Sequence, residues 1–190
     1  MDPLRIVLLL GLVAHKVLWE VLKNRDAART ANTRSPGFVV KWFVKPAKIL
    51  ALGFFALQTL FLDLLPITDD PYLLRIWGTS LYFIGLGTAV LGRVQLGKNW
   101  IDLEDYQVLA KQSVTTNGIY RYIRHPIYAG DILLLIGLEL ALNSWLVVGV
   151  FAITPIVVKQ VVLEEAILAK AFPHYREYLL TTRRFIPFVL

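Results

Sequence analysis

Five apolar runs, at residues 4–22, 49–65, 72–92, 126–142 and 144–160, occupy most of this 190-residue chain and limit what it can fold into. Inside hydrocarbon every backbone N–H and C=O must find a partner within the protein, so such runs span a bilayer as helices. Hydrophobic residues are 56% of the sequence, which leaves most of the surface unable to face water. The expected fold is an all-α integral membrane protein with about five transmembrane helices. The first run carries His15, Lys16 and Glu20 near its end, where long side chains reach the headgroups. It is too long for a removable signal peptide and lacks the small-residue cleavage site of one.

The basic residues assign an orientation. Alternating sides puts seven Lys or Arg in residues 23–48, five in 93–124 and five in 159–190 on one face, with Arg5, Arg75 and Lys16 elsewhere. The positive-inside rule makes that face cytoplasmic, with the N-terminus out and the C-terminus in. The net charge of +6 lies beside apolar segments, so membrane lipids are the expected partner and nucleic acid is not. The connector at 23–48, broken by Ser35-Pro36-Gly37 and carrying Trp42 and Phe43, reads as lipid-facing. The absence of Cys removes thiol catalysis and thiolate metal sites, and His15, His125 and His174 are too scattered to suggest a metal; none is expected.

Within this plan, residues 1–92 supply three N-terminal spans and 93–190 supply the functional half, the two forming a single structural domain. Gly78, Gly85, Gly87, Ala89 and Gly92 suit close approach of the third span to a neighbour. Gly85-x-Gly87 lies in an apolar helix with no preceding strand, so it is no dinucleotide fingerprint. Asn143-Ser144 marks a tight helical hairpin, and Pro155 interrupts its second arm. Residues 161–180 read as a separate amphipathic segment, and 181–187 close the chain at the membrane surface.

Chemistry concentrates at Gly118–Gly130. Pro126 suits the first position of the helix that follows, which puts His125 at its entrance. The free N–H groups of that entrance and the Arg124 charge favour an anionic group, and Tyr120 and Tyr128 add flat amphipathic faces. A hairpin turning at 143–144 is symmetrical: His125 before it and Val162 after it both lie about 27 Å from the turn at 1.5 Å per residue. Glu164 and Glu165 are therefore expected level with Arg124 and His125. Neighbouring helical residues point about 100° apart, so one of the two faces the site squarely. Tyr128, Asp131 and Glu139 share a stripe, and charges at that depth must face protein rather than lipid. Asp131 is a candidate for shaping an acceptor pocket or acting as base, with a bond to a neighbouring helix as the alternative; Glu139 reads as structural.

The string Arg124-His125-Pro126-Ile127-Tyr128-Ala129-Gly130, with Glu164-Glu165 downstream, resembles the signature of the integral-membrane methyltransferases that include isoprenylcysteine carboxyl methyltransferase and the phospholipid N-methyltransferases. The resemblance runs from about Leu96 to Pro187, roughly half the chain. It implies S-adenosyl-L-methionine as cofactor, a cofactor pocket at the cytoplasmic face and a lipophilic acceptor. Carried over residue by residue, it implies cofactor contacts from Tyr120, Arg124, His125, Pro126, Tyr128 and Glu164, the last through ribose hydroxyls. The family's cofactor segment also has a His-x-Leu-Val-like string; Gln112-Ser113-Val114-Thr115 stands there, so an amide replaces the imidazole while backbone contacts from 113–115 persist. Glu165 is left as support for Glu164 or, with Asp131 and His125, as a base for a protonated acceptor. Lys159 and Gln160 are the implied acceptor contacts, since the prenylcysteine enzymes similarly place a basic residue close to the Glu pair.

Two other readings compete. Membrane sterol reductases end in a similar string extended by Asp, as in Gly130-Asp131, implying a nicotinamide cofactor; those proteins are much longer. A non-catalytic lipid-binding protein would keep the fold without the reaction.

Overall fold

The computed structural model describes residues 2–27, 45–100 and 113–186. Every regular element among them is helical: α1 (Pro3–Ala27), α2 (Lys45–Phe61), α3 (Tyr72–Leu96), 3-10 turns at Gly97–Asn99 and Gly118–Arg121, α4 (Pro126–Ala141), α5 (Val147–Ala171) and α6 (Tyr175–Thr181). Among the described residues, α3 and α5 are each long and apolar enough to cross a membrane, and Ile49–Phe61 of α2 is a shorter apolar stretch. The outward faces carry Ile49, Leu50, Trp77, Phe151 and Ile156 in the open. Apolar side chains exposed in this number belong against lipid rather than water.

The seam between α3 and α4 organises the rest. A Cβ added at Gly78 would stand 2.3 Å from the backbone N of Ala141, at Gly85 2.3 Å from that of Leu134, at Gly130 2.4 Å from that of Ala89, and at Gly137 2.2 Å from that of Tyr82. The two helices run antiparallel with backbone laid on backbone, as small residues allow where lipid offers no hydrophobic drive. The seven-residue spacing of Gly78, Gly85 and Gly92, matched by Gly130 and Gly137, keeps the small side chains on one seam. Gly87 departs from the expectation: a Cβ there meets nothing within 4 Å, because it points away from α4.

Around the seam, Leu8 and Leu12 of α1 join Tyr82, Leu134, Leu138, Ala141 and Leu142 in the core. The Tyr82 hydroxyl donates to the Leu8 carbonyl at 2.7 Å, which satisfies a buried phenol. Gln58 of α2 donates to Glu139 of α4 at 2.8 Å, so this buried carboxyl faces protein as its depth requires. Arg5 covers the C-terminal end of α2, donating to the carbonyls of Gln58, Thr59 and Leu62 and pairing with Asp63. Helix ends leave carbonyls short of donors, and the guanidinium supplies them here.

At the hairpin Asn143 takes a left-handed φ of 57°. Its side chain accepts from the backbone N–H of Ile67 and Thr68 at 3.2 and 3.1 Å and donates to the Thr68 carbonyl at 2.7 Å. Asn is the side chain that tolerates this conformation best after Gly. The second arm differs from expectation. α5 runs unbroken to Ala171, so 161–171 is its last three turns rather than the start of a separate segment. Nothing between 160 and 171 breaks a helix, whereas Pro173 forces Phe172 into an extended conformation (φ −125°, ψ 108°), and α6 begins after it.

The seam makes a specific demand. Gly85→Ala drives a methyl into the α4 backbone and is expected to lower stability by about 1–3 kcal/mol, whereas Gly87→Ala leaves it unchanged or slightly higher. Thermal unfolding of both variants in one detergent checks this.

Candidate functional site

The polar cluster lies where α3 ends, α4 begins and α5 ends. Gly92 meets Ile127 and Pro126 at 3.0 and 3.1 Å for an added Cβ, so the seam sets the height of the α4 entrance. Pro126 opens α4 as its first residue and His125 precedes it. Before them, Gly118 (φ 62°) crosses Gln95, whose Oε1 accepts from the Ile119 N–H at 2.8 Å. A Cβ at Gly118 would fall 2.2 Å from that oxygen, so the turn requires glycine both for φ and for space. The Tyr120 hydroxyl donates to the Gly92 carbonyl at 3.3 Å, and the Tyr178 hydroxyl to the Tyr120 carbonyl at 2.5 Å. Burial pushes the phenols of Tyr120 and Tyr175 upward and that of Tyr178 to about 12, so all three stay neutral.

Glu165 is the hub. Its Oε1 accepts from Arg124 Nε at 2.8 Å, and its Oε2 accepts from Arg184 Nε at 2.9 Å. Both the Arg124 and Glu165 side chains are more than nine-tenths buried. Arg124 reaches on to the Leu179 carbonyl and to Thr182, through its carbonyl and its Oγ1. The chain reinforces this with a short parallel pairing: the Arg124 N–H donates to the Arg183 carbonyl at 2.7 Å and the His125 N–H to the Arg184 carbonyl at 3.0 Å. A buried carboxylate held by two guanidiniums is neutralised and fixed, and the tail at 182–185 is fixed with it.

Glu164 points elsewhere. It is half-buried, and its Oε2 accepts from the Tyr128 hydroxyl at 3.1 Å. His125 is buried, with Nε2 3.3 Å from Glu165 Oε1 but without a well-aligned hydrogen bond. Its ring sits 5.8 Å from that of Tyr128 and 6.2 Å from that of Phe185. The expected meeting of the Arg-His-Pro string with the Glu pair is thus present, and the roughly 100° between adjacent helical residues sends Glu165 to the guanidiniums and Glu164 to Tyr128.

The remaining sequence-derived residues take these places. Gln112 lies outside the described residues. Ser113, Val114 and Thr115 run beside Asn99, which accepts from the Ser113 N–H at 3.0 Å and donates to Thr115 Oγ1 at 2.9 Å. Lys159 is exposed and Gln160 half-buried on α5, about one turn before Glu164. Asp131 stands one turn inside α4 and faces His15 of α1 at 3.3 Å. Three contributors went unanticipated. Arg184 and Thr182 reach the site only through the tail pairing, which no spacing foretells. Arg93, fully buried, stacks 4.4 Å from the centre of Trp100 and bonds the Gly97 carbonyl at 3.1 Å; a lone Arg at the end of an apolar run was its only sign.

The cluster presents the Glu164 carboxylate, held through one oxygen by Tyr128, beside a buried His125 ring nitrogen and the flat faces of Tyr128 and Phe185.

Comparison with known proteins agrees in kind. The family model described as phospholipid methyltransferase matches residues 73–174, from the start of α3 to just short of α6. The cobalt-zinc-cadmium resistance protein CzcN of Cupriavidus metallidurans is 30% identical over 110 residues, 57% of this chain and 48% of that protein, so the chain spans about half the length of this curated relative. The structure of a eukaryotic intramembrane Ras methyltransferase, isoprenylcysteine carboxyl methyltransferase, superposes over 100% of this chain and 69% of its own with a TM-score of 0.62. At 17% identity that likeness speaks for the fold.

The two glutamates predict opposite behaviour. Glu165→Ala strands two guanidiniums, one of them buried, and is expected to cost about 3–5 kcal/mol. Glu164→Gln gives up one hydrogen bond at a half-buried position and is expected to cost less than about 1 kcal/mol. Melting of the purified variants separates them.

Proposed function

Because the chain belongs to the phospholipid methyltransferase family, we propose that it is a membrane-embedded, S-adenosyl-L-methionine-dependent methyltransferase acting on a lipophilic acceptor such as an isoprenylcysteine-like carboxylate or a lipid amine. The observation that carries this reading is the junction of the Arg124-His125-Pro126 entrance with Glu164 and Glu165 across the hairpin. In this reading the chain is a multi-pass integral membrane protein. All five long helices span, the N-terminus is outside, and residues 93–190 build a cofactor pocket on the cytoplasmic side within a single structural domain.

When bound, the cofactor supplies a methyl group already activated by its sulfonium. The protein's task is then to position two reactants and exclude water. Glu164 takes the ribose hydroxyls, with the Tyr128 hydroxyl fixing its rotamer. Gln112, the backbone of Ser113 to Thr115, Tyr120, His125, Pro126 and Tyr128 complete the cofactor contacts. Arg124 contributes a positive field, because Glu165 and the tail carbonyls occupy its guanidinium and the Arg183 carbonyl its backbone N–H. With both of its oxygens bound to guanidiniums, Glu165 holds the site together, and Asp131 is the freer carboxylate for any proton transfer. Lys159 and Gln160 meet the acceptor as it enters sideways between helices.

Calorimetric titration with S-adenosylhomocysteine tests the reading. Binding is expected, weakened about tenfold or more by Glu164→Gln through loss of a charge-assisted hydrogen bond. Folded protein that ignores this ligand but gains thermal stability from NADPH would move the chain to the reductase reading.

A further inference from the structure

Sequence position places His15 at headgroup level, yet its side chain turns inward. On α1 it continues the stripe of Leu8 and Leu12, both buried in the core, and its Nε2 lies 3.3 Å from Asp131 Oδ1 of α4, close enough for a charge pair but without a well-aligned hydrogen bond. Asp131 lies five residues into α4, about 7.5 Å below the entrance at 1.5 Å per residue. The His15 side chain keeps 22% of its surface and Asp131 keeps 40%. A carboxylate that gives two-fifths of its surface to hydrocarbon is costly, so a polar molecule between the helices is the expected neighbour of this surface. Tyr128, which bonds Glu164, sits one turn above Asp131 on the same face of α4. The Trp19 ring lies 4.6 Å from that of His15 and 6.5 Å, edge-on, from that of Trp100. Arg93 lies 6.0 Å from the Trp19 ring.

We propose that His15, oriented by Asp131, is the proton acceptor of the reaction, and that the natural acceptor is a lipophilic molecule whose nucleophilic atom carries a proton: an amine, phenol or thiol rather than a carboxylate. The proposal rests on the methyltransferase reading and adds the acceptor's class to it. A proton on Nε2, the nitrogen 3.3 Å from Asp131 Oδ1, leaves the lone pair on Nδ1. The acceptor's proton passes to Nδ1, its lone pair forms the bond to the methyl carbon, and the carbon–sulfur bond breaks with its electrons remaining on sulfur. The Asp131 carboxylate balances the resulting imidazolium until water removes the proton. A carboxylate acceptor, ionised at neutral pH, would give this pair no task.

Full-length protein labelled at histidine Cε1 and held in lipid nanodiscs provides the test. Its three histidines give three resonances, with His15 assigned by His15→Gln. With S-adenosylhomocysteine present, 4-dodecylphenol or dodecylamine is expected to move the His15 resonance while dodecanoate does not. Methyl transfer to the responding probe should fall about 100-fold or more in His15→Gln, with partial rescue by added imidazole and unchanged S-adenosylhomocysteine affinity. A His15 resonance indifferent to both protic probes, or moved equally by dodecanoate, overturns the proposal. Calorimetric binding of S-adenosylhomocysteine, read separately, reports on the methyltransferase reading itself.

Discussion

The contact of α3 with α4, backbone against backbone, is the constraint on which the rest depends. Gly85 and Gly130 face each other so closely that either added methyl would enter the opposing chain. Helices in lipid gain little by hiding Leu from Leu, so close approach and dispersion do the holding. Because the seam continues to Gly92 against Pro126, it also fixes where α4 starts, and with it the position of Arg124 and His125. The core seam and the polar site are one piece of geometry read at two heights.

The second constraint is electrostatic. Two arginines converge on one buried carboxylate, and the site tolerates this because each oxygen of Glu165 takes its own guanidinium while Arg124's remaining donors find tail carbonyls. This arrangement anchors a C-terminal segment that would otherwise lie loose on the membrane surface. It also leaves Glu164, one residue earlier and a quarter-turn or so away, tethered only lightly through Tyr128. One adjacent acid is thereby committed to structure while the other remains able to accept hydroxyls. The family match ends at His174, before Thr182 and Arg184, so this tail clamp is a feature of the chain beyond the matched region.

His15 shows how the same side chain changes meaning with its surroundings. As a single His near the end of an apolar run it signals an interface. Facing Asp131 across α1 and α4, with the Trp19 ring 4.6 Å away, it becomes one half of an acid–base pair between helices. The pair belongs to the first helix and the fourth, and it ties the N-terminal half of the chain to the helix that carries Tyr128.

Hydrophobic run length by itself determined the helical class and the approximate elements, because backbone satisfaction in lipid admits little else. The hairpin at Asn143-Ser144 and the arrival of Glu164 and Glu165 at the level of His125 were likewise legible, since both follow from the fixed rise of an α-helix. Small-residue spacing announced a close seam but could not say which glycines formed it, and Gly87 faces away. The continuation of α5 to Ala171 was local information overlooked, with Pro173 as the only stop. Only the tertiary structure decided which glutamate meets the arginines, that the tail pairs with residues 122–125, and that His15 faces Asp131. Those outcomes depend on the rotation of one helix against another and on long-range pairing, and neither leaves a periodicity in the sequence.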